Sequence, residues 1–247
     1  MNIEIRQYGQ LTCRVVDPPN GAPARRVVVL SHGYGAPGTD LVDLAGWFLD
    51  ADATIAGSVQ FVFPEAPIDL TPAGMPGGRA WWPVNMAQIA DFSAAENYEQ
   101  LTTLKQDGLT DASNQLIEAV RDVQQQSNVV DNGLFLGGFS QGAMVSTDVV
   151  LRHGIQPAGL IVMSGMLICR DEWTRLADQH PGCPVIQTHG LMDPVVPYKT
   201  ATWLRDMLTD SGFTVSFESF AGPHTIPPRA LSDVRDAISA SLSQNAE

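Results

Sequence analysis

A chain of 247 residues with 44% hydrophobic and 17% charged side chains can bury a sizeable core, and its composition is neither that of a disordered polymer nor that of a fibre. Its 27 acidic against 14 basic residues leave a net charge of -13, which repels polyanions and argues against nucleic acid or an anionic membrane surface as partner. A neutral or cationic small molecule is easier to admit.

The N-terminal stretch MNIEIRQYGQLTCRVV alternates like two strands, 3–8 and 11–16, with only Gly9 and Gln10 between them, and predicts an antiparallel hairpin. It has no basic segment followed by an apolar one, and nowhere does the chain approach eighteen apolar residues in a row, so a cytoplasmic protein is expected. RRVVVLSHG (25–33) reads as a buried strand. Next, Leu41, Leu44, Ala45, Phe48 and Leu49 recur at helical spacing, with Thr39 and Asp40 as caps. SVQFVFPEAP (58–67) is a second buried strand.

Residues 65–108 break this rhythm: they are rich in Pro and Gly and carry Met75, Trp81, Trp82, Met86 and Phe92. A connection this long is usually a functional flap, and Met75, Trp81 and Trp82 are the candidate wall of a substrate pocket. From there helices over 109–126, 142–153, 170–180, 198–211 and 228–243 alternate with apolar strands at 133–140, 158–165, 184–190 and 215–222. The alternation implies βαβ units and a parallel sheet with helices on both faces, built as one domain over 1–247 with a flap at 65–108. Cys13, Cys169 and Cys183 lie too far apart for a disulfide framework or a zinc site, so no metal or other cofactor is expected.

LGGFSQGAM (136–144) sets Ser140 where a strand passes abruptly into a helix. Small residues at 138 and 142 would let helix and strand approach closely, and the bend would lift the hydroxyl away from the backbone. A serine hydroxyl needs a base to take its proton and a third group to orient that base. THGLMDPVVP places Asp193 just past one later strand, and FAGPHTIPP places His224 just past another. Singly, each is an ordinary loop residue. In the order Ser, Asp, His, each at the carboxyl end of a strand of one parallel sheet, they read as a nucleophile, an orienting acid and a base. His153 and His180 sit near helix ends, where a cation suits the dipole, and His32 and His189 precede Gly at strand ends, where they brace loops.

The stretches SHGYGAPGTDL, FPEAP, GMPGGRAWW, GGFSQGA, MSG, THGLMDPVVP and HTI, from 31 to 226, resemble in residues and order the phospholipase/carboxylesterase family of α/β-hydrolases. The resemblance implies the α/β-hydrolase fold, with Ser140, Asp193 and His224 as catalytic residues and the backbone N–H groups of Tyr34 and Gln141 as the oxyanion hole. Pro83, Val84 and Asn85 after Trp82, and Pro223 before His224, depart from the family's usual pattern. The expected activity is hydrolysis of short to medium acyl esters through an acyl-enzyme, with an acyl-thioesterase or lysophospholipase as the alternative. Another class of function is suggested by GYGAPG (33–38), a Gly-x-Gly-x-x-Gly string that could mark a dinucleotide-binding oxidoreductase. Pro37 removes an N–H from any phosphate nest, two strands precede the string, and no ribose-binding acid follows at the right distance. A hydrolase-fold protein without activity is the third possibility, against which stands a sequence that lacks no catalytic part.

Overall fold

The computed structural model describes residues 1–179 and 183–244, so His180, at the expected end of the 170–180 helix, lies outside the described residues. β1 (Glu4–Tyr8) and β2 (Leu11–Val16) form the antiparallel hairpin, turning through Gly9 at a φ of 51°. β2 pairs antiparallel with β4 (Val59–Pro64). From β4 the sheet runs parallel through β3 (Arg26–Ser31), β7 (Leu134–Phe139), β8 (Gly159–Met163), β9 (Pro184–Gly190) and β10 (Thr214–Phe220). The eight strands stand in the order β1-β2-β4-β3-β7-β8-β9-β10.

Because side chains alternate across a strand, each central strand feeds two apolar layers. Val27 and Val29 of β3 join the layer of α5 (Leu109–Ser127), α6 (Gln141–His153), α7 (Arg170–Ala177) and α8 (Tyr198–Asp210), which contribute Leu116, Val145, Trp173 and Leu204. Val28 and Leu30 face α1 (Asp43–Ala51), α2 (Ala53–Ser58) and α9 (Pro228–Gln244), represented by Phe48, Ile55 and Ile238. Full burial of each such side chain stabilises the fold by about 1.5–3 kcal/mol. This double cover explains why the strands read as nearly continuous apolar runs rather than alternating ones.

Two expectations need correcting. Thr39 and Asp40 do not cap α1: its cap position is Val42, which makes no side-chain cap bond, and the stretch before it closes as successive turns, Asp40 N–H to Pro37 C=O and Val42 N–H to Thr39 C=O. The segment 65–108 is also more regular than a loop. It holds a two-stranded antiparallel ribbon, β5 (Ile68–Asp69) with β6 (Arg79–Ala80), then α3 (Met86–Ala94) and α4 (Tyr98–Thr103). Asn85 and Asn97 cap these helices, their side-chain oxygens accepting from the N–H groups of Gln88 and Gln100.

Candidate active site

The carboxyl ends of β3, β7, β9 and β10 lie on one edge of the sheet, and the loops leaving them bring the site together. Ser140 follows β7 directly, with φ 54° and ψ -120°, a strained backbone for any residue bearing a Cβ. Its N–H donates to Met163 C=O at 2.9 Å and its C=O accepts from Met144 N–H at 3.1 Å, so the surrounding chain holds the bend. A Cβ at Gly138 would stand 2.1 Å, and one at Gly142 2.0 Å, from the Ser31 carbonyl oxygen. Only glycine lets α6 start this close to β3.

Asp193 and His224 meet across two loops: Nδ1 of His224 donates to Oδ2 of Asp193 at 2.6 Å. The Asp193 side chain is wholly buried, and its other oxygen accepts the N–H groups of Val195 and Val196, each at 2.8 Å. Nε2 of His189 lies 2.9 Å from Val196 C=O and 3.3 Å from Oδ2 of Asp193. Burial alone would raise the Asp193 carboxyl. The bonds from His189, His224 and Val196 outweigh it and hold the group well below the usual carboxylate range. A carboxylate only accepts, so Nδ1 of His224 carries the proton and Nε2 is left with its lone pair. The imidazole packs against the Phe139 ring, 4.6 Å between centroids, which sets it beside the residue before Ser140. Ser140 and His224 line one cavity, although among the described residues no hydrogen bond joins them.

The loop leaving β3 forms the other side of this edge. A Cβ at Gly33 would lie 3.3 Å from that of Ser140, so the loop passes directly beside the serine. Among the described residues, neither Tyr34 N–H nor Gln141 N–H reaches a backbone carbonyl, and the latter opens α6, where helix geometry supplies no acceptor. Behind the loop His32 is neutral: burial lowers its pKa, Nδ1 lies 2.9 Å from Gly33 C=O, and Nε2 accepts Ala66 N–H at 3.1 Å.

The cavity measures about 410 Å³, and Tyr34, Asp40, Gln106, Ser140, Gln141 and His224 supply its polar lining. Its apolar walls come from the flap (Trp82, Val84, Ile89) and from Met144, Met166 and Ile168. Trp82 thus stands on the wall, whereas Trp81 and Met75 do not. Trp81 is buried behind it with its indole N–H donating to His32 C=O at 3.0 Å, and Met75, 38% exposed, packs outside against Gly35 and Gly78.

A family model described as Phospholipase/Carboxylesterase matches residues 11–242. The chain belongs to that family. It is a hydrolase of the α/β fold, and a small-molecule ester or thioester is the class of substrate the family implies. Acyl-protein thioesterase 1 of Candida albicans is 26% identical over 229 residues, covering 88% of this chain and 92% of its own length. The Saccharomyces cerevisiae protein of the same name is 27% identical over 232 residues, covering 90% and 95%. Among solved structures, esterase PE8 superposes with a TM-score of 0.76 at 25% identity, covering 93% of this chain and 98% of its own. A carboxylesterase from Mesorhizobium loti gives 0.73 at 16% identity, over 97% and 99%, a likeness of fold.

Family membership disposes of the dinucleotide reading, and the geometry explains why the Gly-rich string is there. Its backbone is paired with β6, Gly35 N–H to Arg79 C=O at 2.9 Å and Arg79 N–H to Ala36 C=O at 3.1 Å, so it is built as a wall rather than as an open nest for phosphate. His153 does end α6, but burial lowers its pKa, so it is not the dipole-pairing cation expected there. Sequence reasoning missed the flap residues Val84 and Ile89 and the side-chain bonds of Gln141; the loop-bracing role it gave His189 is seen in the contact of Nε2 with Val196 C=O. The departure at 83–85, directly after Trp82, gave a hint for Val84; for the bonds of Gln141 there was none, because its partners are backbone groups 59 and 60 positions away.

Proposed function

We propose that the chain is a serine carboxylesterase acting on uncharged esters of short to medium acyl chains, with Ser140 as nucleophile, His224 as general base and Asp193 as the group that orients it and stabilises its protonated form. The single observation that carries this reading is the 2.6 Å bond between the buried Asp193 carboxylate and His224, which lines the same cavity as Ser140. Ser140 Oγ attacks the acyl carbon while its proton passes to Nε2 of His224. The carbonyl oxygen becomes an oxyanion facing the N–H groups of Tyr34 and Gln141. Collapse expels the alcohol, which takes the proton from Nε2, and leaves Ser140 acylated. Water then gives a proton to Nε2 as its oxygen attacks the acyl carbon; the second collapse releases the acid and returns the proton to Ser140.

The apolar walls suit an uncharged acyl chain, and the machinery asks nothing of the leaving group beyond accepting a proton. Thioesters therefore form a second reading, favoured by the likeness to the two fungal acyl-protein thioesterases. Ser140→Ala is expected to lower turnover by about 10⁴-fold or more. A fluorophosphonate should label the unmodified protein once, at Ser140, and leave the variant unlabelled. Residual activity within tenfold, or label on another serine, overturns the assignment. p-Nitrophenyl esters of increasing length, run beside acyl thioesters, separate the two substrate readings.

A further inference from the structure

The two proposed oxyanion donors sit on loops far apart in the chain, one after β3 and one at the start of α6, yet a transition state feels their separation to a few tenths of an ångström. Residues 79–82 touch both. On the Tyr34 side, Arg79 pairs through its backbone with Gly35 and Ala36, and the Trp81 indole N–H donates to His32 C=O at 3.0 Å, so Tyr34 is tethered on either flank. On the Gln141 side, the side-chain amide accepts Trp81 N–H through Oε1 at 2.9 Å and donates Nε2–H to Trp82 C=O at 2.9 Å. The four-residue segment is itself fixed, since the Arg79 guanidinium donates to the carbonyls of Ala66 and Pro67 at 2.9 and 3.2 Å.

Gln141 is 3% exposed, and an amide is the side chain that can both accept and donate in the manner of a neighbouring strand. If the position only filled space, an apolar residue of similar volume would do, but it would leave Trp81 N–H and Trp82 C=O unpaired in the core. Gln141 thus presents its own N–H to the cavity while its side chain locks that N–H to the segment that also holds the Tyr34 loop.

We propose that the Gln141 side chain and residues 79–82 form a positioning strap that sets the two backbone donors at a fixed separation. The proposal rests on the serine-hydrolase reading above and adds to it a role for groups that never touch the reacting atoms.

The test uses Gln141→Met, which removes both side-chain bonds, Gln141→Glu, which keeps an acceptor for Trp81 N–H but sets an oxygen against Trp82 C=O, and Trp81→Phe, which removes only the bond to His32. Active sites are counted with a fluorophosphonate, and kinetics are expressed per titrated site. Each variant is expected to lose about 10- to 100-fold in kcat with KM within about twofold, Trp81→Phe the least. The inhibition constant of an alkylboronic acid, whose adduct on Ser140 carries a tetrahedral oxygen where the oxyanion forms, should rise by the same factor as kcat/KM falls. A purely structural role would instead reduce the number of titrated sites and leave both constants per site intact. That result, or a lowered kcat without weaker boronate binding, overturns the strap alone. Failure of the unmodified protein to be labelled at Ser140 overturns the hydrolase reading and the strap with it.

Discussion

At the scale of a residue, Ser140 holds a conformation it would not choose. A φ of 54° with ψ of -120° costs a residue bearing a Cβ on the order of 1–3 kcal/mol, and the surrounding bonds to Met163 and Met144 enforce it. Glycine adopts such angles freely, though it enlarges the unfolded ensemble and gives back about 0.5–1 kcal/mol. Ser140→Gly should therefore be inactive yet more stable than the unmodified protein by about 1 kcal/mol, a rise in Tm of roughly 2–4 °C for a chain of this size. Ser140→Ala keeps the Cβ and should gain nothing. Thermal unfolding of the three proteins side by side decides it: equal midpoints for the Gly and Ala variants would mean that the bend stores no strain.

At the scale of an element, the flap decides what the cavity accepts. α3 contains no fully buried residue; Val84, Ile89 and Phe92 are partly buried against the core, and Val84 and Ile89 also line the cavity. Ile89→Trp should fill part of the cavity and lower kcat/KM for octanoyl esters at least about tenfold relative to butyryl esters. Trp81→Ala removes a buried ring that is not on the wall and should cost about 3–5 kcal/mol of stability without reordering chain-length preference. A variant at Ile89 with an unchanged preference would move the acyl site elsewhere. The same segment shows where the sequence was legible. The central strands announced themselves because both faces are covered; Ser140 and Asp193 could be picked out because they follow two of these, β7 and β9, and His224 because it follows the edge strand β10, whose Val215, Phe217 and Phe220 still mark a strand although it is exposed or only half-buried along its length. α2 and α4, of six residues each, are too short for a helical period to repeat, and α3 has no fully buried residue to write one; the local signal they offer is in their caps, Asp52, Asn85 and Asn97. The bonds of Gln141 to residues 59 and 60 positions away leave no trace in any local pattern.

At the scale of the whole molecule, the excess of negative charge should choose among substrates before any contact forms. The chain carries a net charge of -13, and Asp40 is the one carboxylate among the described residues lining the cavity. No described helix is long and apolar enough to cross a membrane. A field of this sign depletes anions and enriches cations near the mouth, and the effect weakens as the screening length falls to about 10 Å at 0.1 M salt. For esters of one acyl chain with a neutral, a quaternary ammonium or a carboxylate-bearing alcohol, kcat/KM at low salt should fall in the order cation, neutral, anion, with about tenfold between the extremes. Raising the salt should close most of that gap by helping the anion and hindering the cation, while the neutral ester stays level. Asp40→Asn should narrow the part that salt leaves behind, because a charge at the wall acts over a distance shorter than the screening length. An order that does not respond to salt would place the discrimination in direct contacts within the cavity, and an anionic ester preferred at low salt would mean that the net charge does not reach the mouth at all.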